Sequence, residues 1–241
     1  MINTLVVIPT YNEIENIEGI IKATFQVSQH VEILVVDDNS PDNTAQKVIS
    51  LQTEYPGRLF LEKRKEKLGL GTAYIFGFRW ALKRHYEYIC EMDADFSHNP
   101  NDLFLLYNKC NESGADLSIG SRYKSGVNVV NWPMNRVLLS YFASKYVQII
   151  TQMHISDATA GFICYKRKVL ESINFDKIQF IGYAFQIEMK FKAYLKGFKI
   201  EEVPVIFTDR TKGVSKMDRS IISEAVFGVI LMKIKSLFVK Q

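Results

Sequence analysis

Two aspartates separated by one residue follow an apolar run in the first half of the chain. Asp93 and Asp95 come directly after the strand-like segment YEYIC, within EMDADFSHNP. An Asp-x-Asp pair at the end of a strand can bind a hard divalent cation that already carries diphosphate oxygens. Such a cation neutralises the charge that develops on a departing diphosphate. The same pair could instead be two solvated turn aspartates, so the surrounding residues decide between the two interpretations.

Two other chemistries fit the chain less well. The segment DADFS resembles the loop of phosphatases that use an aspartyl nucleophile, but that loop normally follows the first strand and is joined by later acidic ligands. Here the pair follows the fourth predicted strand, and no such acidic cluster comes later. Gly69 and Gly71 suggest a dinucleotide site, but Tyr74 stands where the third glycine of that fingerprint belongs, and there is no P-loop. We expect Gly69 and Gly71 to let the backbone pass close to a neighbouring strand or ligand.

The composition is that of one globular domain. The chain has 241 residues, of which 47% are hydrophobic and 23% are charged. Its net charge of +4 is too small to indicate nucleic acid, but it suits phosphate-bearing ligands or an anionic membrane surface. The three cysteines have no metal-like spacing, and their odd number argues against a disulfide framework. We therefore expect a cytoplasmic protein, and we expect no signal peptide. No apolar run approaches the roughly 20 residues that span a bilayer.

The elements that must position the aspartates alternate between β-branched runs and amphipathic runs. This alternation is typical of an α/β fold with a mostly parallel central sheet flanked by helices. The pattern predicts strands over 4–10, 32–38, 58–63, 86–92, 116–122, 161–167 and 198–207. It predicts helices over 14–25, 41–54 with Pro41 and Asp42 in the first turn, 69–84, 101–110, 134–153, 185–197 and from about 220. Ligands of such sheets bind beyond the carboxyl ends of the strands, where these residues gather: Pro9, Tyr11, Glu13, Asp37, Asp38, Asp93 and Asp95.

Seven stretches, in order along the chain, match motifs of one family. They are VVIPTYNEIENI, VVDDNSPDNT, KLGLGTAYIFGF, EMDADFSHNP, IGSRYKSG, GYAFQIEM and EEVPVIFTDRTKGVSK. Together they resemble the polyprenyl-phosphate (dolichyl-phosphate) mannose synthases, which belong to family 2 of the inverting glycosyltransferases and have the GT-A, or nucleotide-diphosphosugar transferase, fold. The resemblance runs from about Leu5 to Lys216. It implies metal-dependent transfer of mannose from GDP-mannose to a polyprenyl phosphate with inversion, giving polyprenyl-phosphate β-mannose.

The resemblance also implies roles for individual residues. Those expected to bind the donor are Pro9, Tyr11, Glu13, Val36, Asp38, Asp93, Ala94, Asp95, Arg122, Arg210 and Lys216. Asp93 and Asp95 would hold Mg²⁺ or Mn²⁺, with Asp95 the direct ligand, and Ser97 stands where some members offer a glutamine to the metal. The expected catalytic set is Asp95, Arg122, Arg210 and Lys216, the last two on a loop that covers the diphosphate. Arg122, Arg136 and Ser140 would bind the acceptor phosphate.

The proposed acceptor explains a departure from relatives that make polysaccharides. Those relatives present an adjacent acidic pair to deprotonate a hydroxyl, whereas this chain has Gln186-Ile187-Glu188. A phosphate monoester is largely dianionic near neutrality, because its second pKa is about 6, and so it needs no base. Glu188 could still be an acid or a base, or could anchor its helix to Lys192. For His98, beside the metal motif, we expect a hydrogen bond at a helix start rather than a ligand role.

The chain end predicts contact with a membrane. We expect a GT-A domain over 1–219 and an amphipathic helix over 220–241 with Lys233, Lys235 and Lys240, which either packs on the same domain or lies in the membrane interface. Segment 127–147 is rich in aromatic and aliphatic residues and could line the path of the lipid. Attachment would be peripheral, on the cytoplasmic face, or through a membrane-anchoring partner. Two alternatives stay open: transfer of glucose from UDP-glucose to the same lipid, and a non-catalytic subunit that binds nucleotide sugars.

Overall fold

A seven-stranded sheet forms the centre of the protein. The computed structural model describes residues 1–182, 184–210 and 219–238, with the side chains of the last segment described from residue 226 onward. The strand order is β3-β2-β1-β4-β7-β5-β8, in which only β7 runs antiparallel to its neighbours. The strands are β1 (Thr4–Thr10), β2 (Val31–Asp37), β3 (Leu59–Lys63), β4 (Tyr88–Glu91), β5 (Leu117–Ser121), β7 (Ile163–Lys166) and β8 (Ile200–Pro204). The expected mostly parallel sheet is therefore confirmed.

Helices cover both faces of this sheet, as the alternating pattern predicted. They are α1 (Ile17–Val27), α2 (Thr44–Gln52), α3 (Leu70–Leu82), α4 (Asp102–Asn111), α5 (Met134–Thr151), α6 (Arg167–Ser172), α7 (Ala184–Leu195) and α8 (Arg219–Phe238). A separate two-stranded parallel ladder joins β6 (Val129–Val130) to β9 (Phe207–Thr208). The run predicted as a single strand over 198–207 is thus divided between β8 and β9.

The alternation of side chains along β1 explains why there are two cores. Leu5 and Val7 face a cluster built with α3, α5, α6, α7 and α8, whereas Val6 and Ile8 face a cluster built with α1, α2 and α4. All four side chains are fully buried. The sheet is thus covered on both faces, which fits the unbroken apolar runs of its parallel strands.

The start of α2 differs from the prediction. Pro41 and Asp42 precede the helix, which begins at Thr44. The carboxylate of Asp42 accepts hydrogen bonds from the backbone N–H of Thr44 and from that of Ile14, each at 3.0 Å. Asp42 therefore joins the loops after β1 and β2 instead of lying in the first helical turn.

The glycines near α3 allow close packing, as expected, but against a helix. A Cβ atom on Gly71 would lie 2.7 Å from the Phe185 ring of α7, and Gly69 adopts φ +98°, where side chains are strained. The backbone N–H of Gly71 also donates to Ile181 O at 2.9 Å. These contacts join α3 to the segment that leads into α7.

Over residues 226–238, helix α8 packs on the body of the protein along one side. Val229 and Met232 are buried, and a Cβ atom on Gly228 would lie 2.5 Å from the ring of Phe180. The hydroxyl of Tyr146 on α5 donates to Val226 O at 2.7 Å. The other apolar side chains of residues 226–238 are exposed. Within the described part of the chain, no helix combines the length and hydropathy needed to cross a bilayer.

Candidate active site

The two aspartates lie in a loop that leaves the carboxyl end of β4. Phe96, the next residue, has φ +60°, so the chain turns sharply there. The backbone N–H of Asp93 donates to His98 Nδ1 at 3.2 Å, and that of Ser97 donates to Asp95 at 3.0 Å. The buried hydroxyl of Tyr74 on α3 donates to Asp93 Oδ1 at 3.2 Å. These bonds hold both carboxylates in a defined arrangement at the edge of the sheet.

The two carboxylates have pKa values shifted in opposite directions. Burial raises the pKa of Asp93, and the negative charge of Asp95 adds to this effect. Burial also acts on Asp95, but hydrogen bonding by Ser97 and the charge of Arg210 outweigh it, so its pKa is lowered. Arg210 lies 3.2 Å from Asp95. A cationic group therefore already contacts the carboxylate that the sequence predicts as the metal ligand.

The donor set at this loop suits a hard cation that brings further oxygen ligands with it. Asp93 and Asp95 supply two carboxylates, and no cluster of three or more histidine, cysteine or acidic side chains that could hold a metal occurs among the described residues. A divalent cation would offset the burial and mutual repulsion that raise the pKa of Asp93. The residues therefore fit a cation that completes its coordination with diphosphate oxygens.

His98 is part of the support of this loop. Its ring is buried and stacks on Phe162, with centroids 4.7 Å apart, and burial lowers its pKa. A neutral ring is consistent with its accepting the hydrogen bond from the Asp93 backbone. The sequence predicted a structural hydrogen bond at a helix start, but the bond instead holds the aspartate loop.

Arg122 is held at the end of β5 by a segment the sequence did not single out. Its guanidinium lies 2.6 Å from each carboxylate oxygen of Asp157 and 2.8 Å from the hydroxyl of Thr159. The backbone N–H of Arg122 donates to Asp157 as well, at 2.9 Å. Burial alone would raise the pKa of Asp157, but the charge of Arg122 and these hydrogen bonds lower it. Arg122 and Asp157 thus form a bidentate buried ion pair.

Arg136 lies in the first turn of α5, over an indole ring. Its guanidinium is 4.0 Å from the centroid of Trp132, which packs edge-on against Phe207. The same guanidinium donates to Asp209 at 2.8 Å. Trp132 was not singled out in the sequence, and its position directly before the proline that precedes α5 was the available signal.

The predicted donor residues lie at the ends of β1 and β2. Pro9 and Val36 face each other across the parallel ladder, but the Val36 side chain is buried in the core, so only its backbone is available to a ligand. Asp38 is held by Arg64, whose Nε and Nη2 lie 2.5 and 2.7 Å from its two oxygens. Arg64 also donates a hydrogen bond to the hydroxyl of Thr72 at 2.7 Å. This bond joins the predicted nucleotide-sugar site to α3. Arg64 was not predicted, although it directly follows a strand.

A cavity of about 360 Å³ connects the predicted phosphate-binding residues with three helices. Its polar lining includes Asp93, Arg122, Arg136, Ser140 and Arg210. Further along α5 the lining becomes apolar, and it continues onto α7 and α8 through Leu139, Phe142, Ala143, Tyr146, Val147, Ile187, Val226 and Val229. The structure thus brings one predicted metal-binding aspartate, the described predicted arginines and Ser140 to one cavity with an apolar extension.

The remaining predicted residues lie apart from the cavity lining or beyond the described chain. Pro9, Tyr11, Glu13, Val36, Asp38, Ala94 and Asp95 do not line it. Lys216 and Lys240 lie outside the described residues. Glu188 accepts hydrogen bonds from the backbone N–H of Gln179 and Phe180 and lies 3.4 Å from Lys192, so its contacts are those of a structural anchor.

Comparison with known proteins identifies the family. The model of glycosyl transferase family 2 matches residues 5–173. The chain belongs to glycosyl transferase family 2. A polyprenol monophosphomannose synthase of Mycolicibacterium smegmatis is 46% identical over 226 residues, covering 94% of this chain and 85% of the relative. An undecaprenyl-phosphate mannosyltransferase of Micrococcus luteus is 42% identical over 225 residues, covering 93% and 91%. The resemblance identified from the motifs is confirmed, and the protein is a glycosyltransferase.

Solved structures share the architecture. A glucosyl-3-phosphoglycerate synthase of Mycobacterium tuberculosis, in complex with Mn²⁺, uridine diphosphate and glucosyl-3-phosphoglycerate, superposes with a TM-score of 0.68. The alignment covers 99% of this chain and 81% of that chain at 17% identity. The same enzyme in complex with Mn²⁺, uridine diphosphate and phosphoglyceric acid gives a TM-score of 0.69 at 18% identity, covering 99% and 79%. At this identity the likeness supports the fold alone, and the expected GT-A fold is confirmed.

Proposed function

We propose that this family 2 glycosyltransferase transfers mannose from GDP-mannose to a polyprenyl phosphate, with inversion at the sugar. The observation that carries the proposal is the cavity, because it combines three arginines with an apolar extension between α5, α7 and α8. Guanidinium groups suit phosphate oxygens, and the apolar lining suits the first isoprene units of a lipid. An acceptor with a charged head and an apolar tail matches both ends. The two mannosyltransferase relatives support the sugar and the lipid.

The acceptor phosphate would attack the anomeric carbon directly. Arg136 and Ser140 are four residues apart on α5, which puts them on one helical face, and both line the cavity. Arg122 lies at the same cavity, where it can contact the acceptor phosphate and the departing diphosphate. A phosphate dianion needs no general base, which fits the structural contacts of Glu188. In-line attack from the face opposite the diphosphate inverts the sugar and gives the β-linked product.

The donor would lie along the ends of β1, β2 and β4. Asp38, fixed by Arg64, and the loop of Tyr11 and Glu13 would contact the nucleoside, and Ala94 would lie along the ribose and diphosphate. Asp93 and Asp95 would hold Mg²⁺ or Mn²⁺, which supplies electrostatic stabilisation of the leaving nucleoside diphosphate. Arg210 and Lys216 would add cationic groups to the same diphosphate, because an arginine can clamp two phosphate oxygens and a lysine acts as a point charge.

Two apolar stripes support contact with a membrane surface. On α5, the exposed side chains of Met134, Leu138 and Phe142 recur every four residues. On α8, a second stripe is formed by Phe227, Leu231, Ile234 and Phe238. Tyr146 joins α5 to α8 through its hydrogen bond to Val226 O. We propose that both stripes face the membrane on one surface beside the cavity. We propose a glycosyltransferase domain over 1–219 and a C-terminal segment over 220–241, whose described helix packs on this domain and would also face the bilayer.

This surface would attach the protein peripherally to the cytoplasmic face of a membrane. Lys233 and Lys235 on α8 suit the anionic headgroups of that face. The three cysteines are free and buried, as a reducing compartment allows. A membrane-anchoring partner would use the same surface. The net charge of +4 does not favour binding of nucleic acid.

The test is an assay with separated donors. Purified protein is incubated with Mg²⁺ or Mn²⁺, a short polyprenyl phosphate and either labelled GDP-mannose or labelled UDP-glucose, and label in the organic phase is counted. Label from GDP-mannose alone is expected, and NMR of the product is expected to show a β-linked sugar. Label from UDP-glucose alone would overturn the sugar assignment, and label from neither would overturn the acceptor or both donors.

Two controls address the metal. Excess EDTA should abolish turnover, and added Mg²⁺ or Mn²⁺ should restore it. Asp95→Asn keeps the size of the side chain and removes its charge, and it should lower turnover by about 100-fold or more if the carboxylate binds the cation. Full activity of this variant would contradict the metal assignment of Asp95.

A further inference from the structure

A buried lysine lies beneath the proposed phosphate site, with no role so far in the chemistry. Among the lysines whose side chains the structure describes, Lys190 of α7 alone is buried, and it is fully inaccessible to solvent. Burying an ammonium group is costly unless it is paired and hydrogen-bonded. An aliphatic residue would fill the same volume without that cost. The contacts of Lys190 therefore call for a specific explanation.

The ammonium group of Lys190 donates hydrogen bonds to three backbone carbonyl groups. Nζ donates to the carbonyl oxygens of Ala158 at 3.1 Å, of Ala160 at 2.5 Å and of Gln186 at 3.2 Å. An ammonium group has three N–H donors, so each has an acceptor, whereas a neutral amine would have only two. Two of the three acceptors belong to residues 157–161. Lys190 thus ties this segment to α7.

The segment 157–161 lies between the end of α5 at Thr151 and the start of β7 at Ile163, and it contains no helix or strand. Its carboxylate and hydroxyl groups, from Asp157 and Thr159, hold the guanidinium of Arg122. Lys190 therefore binds backbone carbonyl groups of the same short segment whose side chains orient Arg122.

The surrounding charges favour the protonated lysine. Burial lowers the pKa of Lys190 to about 8, whereas the carboxyl groups of Glu91, Asp157 and Glu202 act against this effect and Arg122 adds to it. Burial also raises the pKa of Glu91 to about 8, so Asp157 and Glu202 supply most of the negative charge near neutrality. Glu202 on β8 accepts hydrogen bonds from the backbone N–H of Ser156 and Asp157, at 2.8 and 2.9 Å. Glu202 thus binds the backbone N–H groups at the start of this segment, and Lys190 binds its backbone carbonyl groups.

We propose that Lys190 is a positioning residue for sugar transfer, fixing the 157–161 segment so that Asp157 and Thr159 hold Arg122 in the geometry that the reacting phosphates need. This inference rests on the proposed function, because it assigns Arg122 to the phosphates. A displacement of about 1 Å at a reacting group can cost about 100-fold in rate, so loss of Lys190 should be felt in turnover and not only in stability.

A double-mutant cycle tests whether Lys190 acts through Arg122. Lys190→Met removes the donors and keeps most of the volume, and Arg122→Lys removes the bidentate fork while leaving measurable charge. We expect Lys190→Met to lower kcat/KM for a short polyprenyl phosphate by about 10- to 100-fold in the wild-type background. In the Arg122→Lys background it should cost less than about twofold, because coupled residues are not additive. Equal factors in the two backgrounds would overturn the inference.

A matched control separates positioning from general destabilisation. Phe191 is the next residue on α7 and is also buried, but it belongs to the apolar core. Phe191→Leu should lower Tm while leaving kcat/KM for the acceptor within about twofold. If Lys190→Met does not fold, Thr159→Val breaks the same chain of contacts at the Arg122 end. It should lower kcat/KM by about three- to tenfold, and an unchanged value would overturn the inference.

Amide hydrogen exchange gives a reading that does not depend on the reaction. The amides of 157–162 should exchange faster in Lys190→Met than in wild type and should be unchanged in Phe191→Leu. Unchanged exchange in Lys190→Met would overturn the inference whatever the activity. If the wild-type protein transfers no sugar to a polyprenyl phosphate, the proposed function fails, while this exchange experiment still decides whether Lys190 holds the segment.

Discussion

The ion pair between Arg122 and Asp157 allows the most direct test of the site. Asp157→Asn keeps the size of the side chain and removes the charge, leaving the buried guanidinium without its counter-ion. The Asp157 side chain is fully buried and that of Arg122 is only 9% exposed, so solvent can replace little of the lost interaction. Removal of one member of such a buried pair costs about 3–5 kcal/mol. For a protein of this size, that loss corresponds to a fall in Tm of roughly 6–20 °C.

The matched control is an exposed pair of the same chemistry. Arg79 and Asp176 lie 2.5 Å apart, but their side chains are 48% and 82% exposed. Asp176→Asn should therefore change the free energy of unfolding by no more than about 1 kcal/mol. Thermal melts of the two variants are the assay, with kcat/KM for the polyprenyl phosphate measured beside them. If Asp157→Asn is no less stable than Asp176→Asn, the buried pair does not stabilise the fold by the expected amount.

The pH dependence of stability gives a second reading of the same pair. The pKa of Asp157 is lowered in the folded protein, because Arg122 and its hydrogen bonds outweigh burial. Its contribution to stability is therefore fully present above the unfolded-state pKa of about 4, and it is lost as pH falls through the lower folded-state value. The difference in unfolding free energy between wild type and Asp157→Asn should shrink over this acidic range. A difference that stays constant down to the lowest measurable pH would contradict the assignment.

Three further predictions concern other parts of the molecule. Arg64→Met removes the bidentate contact to Asp38, so initial-rate kinetics should show a donor KM raised about tenfold and an acceptor KM changed less than about twofold. Gly77→Ala adds a Cβ atom 2.5 Å from a methyl group of β1, and denaturant unfolding should show a loss of about 1–3 kcal/mol, whereas unchanged stability would contradict the close packing. Phe227→Asp on the exposed face of α8 should weaken co-sedimentation with anionic lipid vesicles about tenfold, whereas Phe104→Asp on α4 should have no effect.

The sequence predicted the parallel sheet and the residues at its edge, because both have local signals. β-branched runs alternate with amphipathic runs, and Asp93 and Asp95 directly follow β4. Arg122 and Arg210 were singled out by their motifs and Arg136 by the family resemblance, and the structure brings the three to one cavity. Their roles in transfer stay predictions.

The missed residues act through contacts that are distant in the chain. Asp157 lies 35 residues from Arg122, and Lys190 lies 30 and 32 residues from the carbonyls it holds. A lysine on a helix is normally expected at the surface, so its burial depends on the tertiary fold and has no local signal. The start of α2 was misplaced because Asp42 bonds to the loop after β1, which is also a tertiary contact.

The antiparallel strand β7 has a consequence for the order in which the chain can fold. Strands β1 to β4 and their helices are complete once residue 91 has been synthesised, but β4 and β5 do not pair with each other. The gap between them is filled only when residues 163–166 arrive, and β8 then adds to β5. Because the chain emerges from the ribosome from its amino end, we expect the part formed by β1 to β4 and their helices to become ordered first. The edge of β4 would stay open until β7 inserts, so this interval is where a nascent chain is most exposed to pairing with the wrong strand.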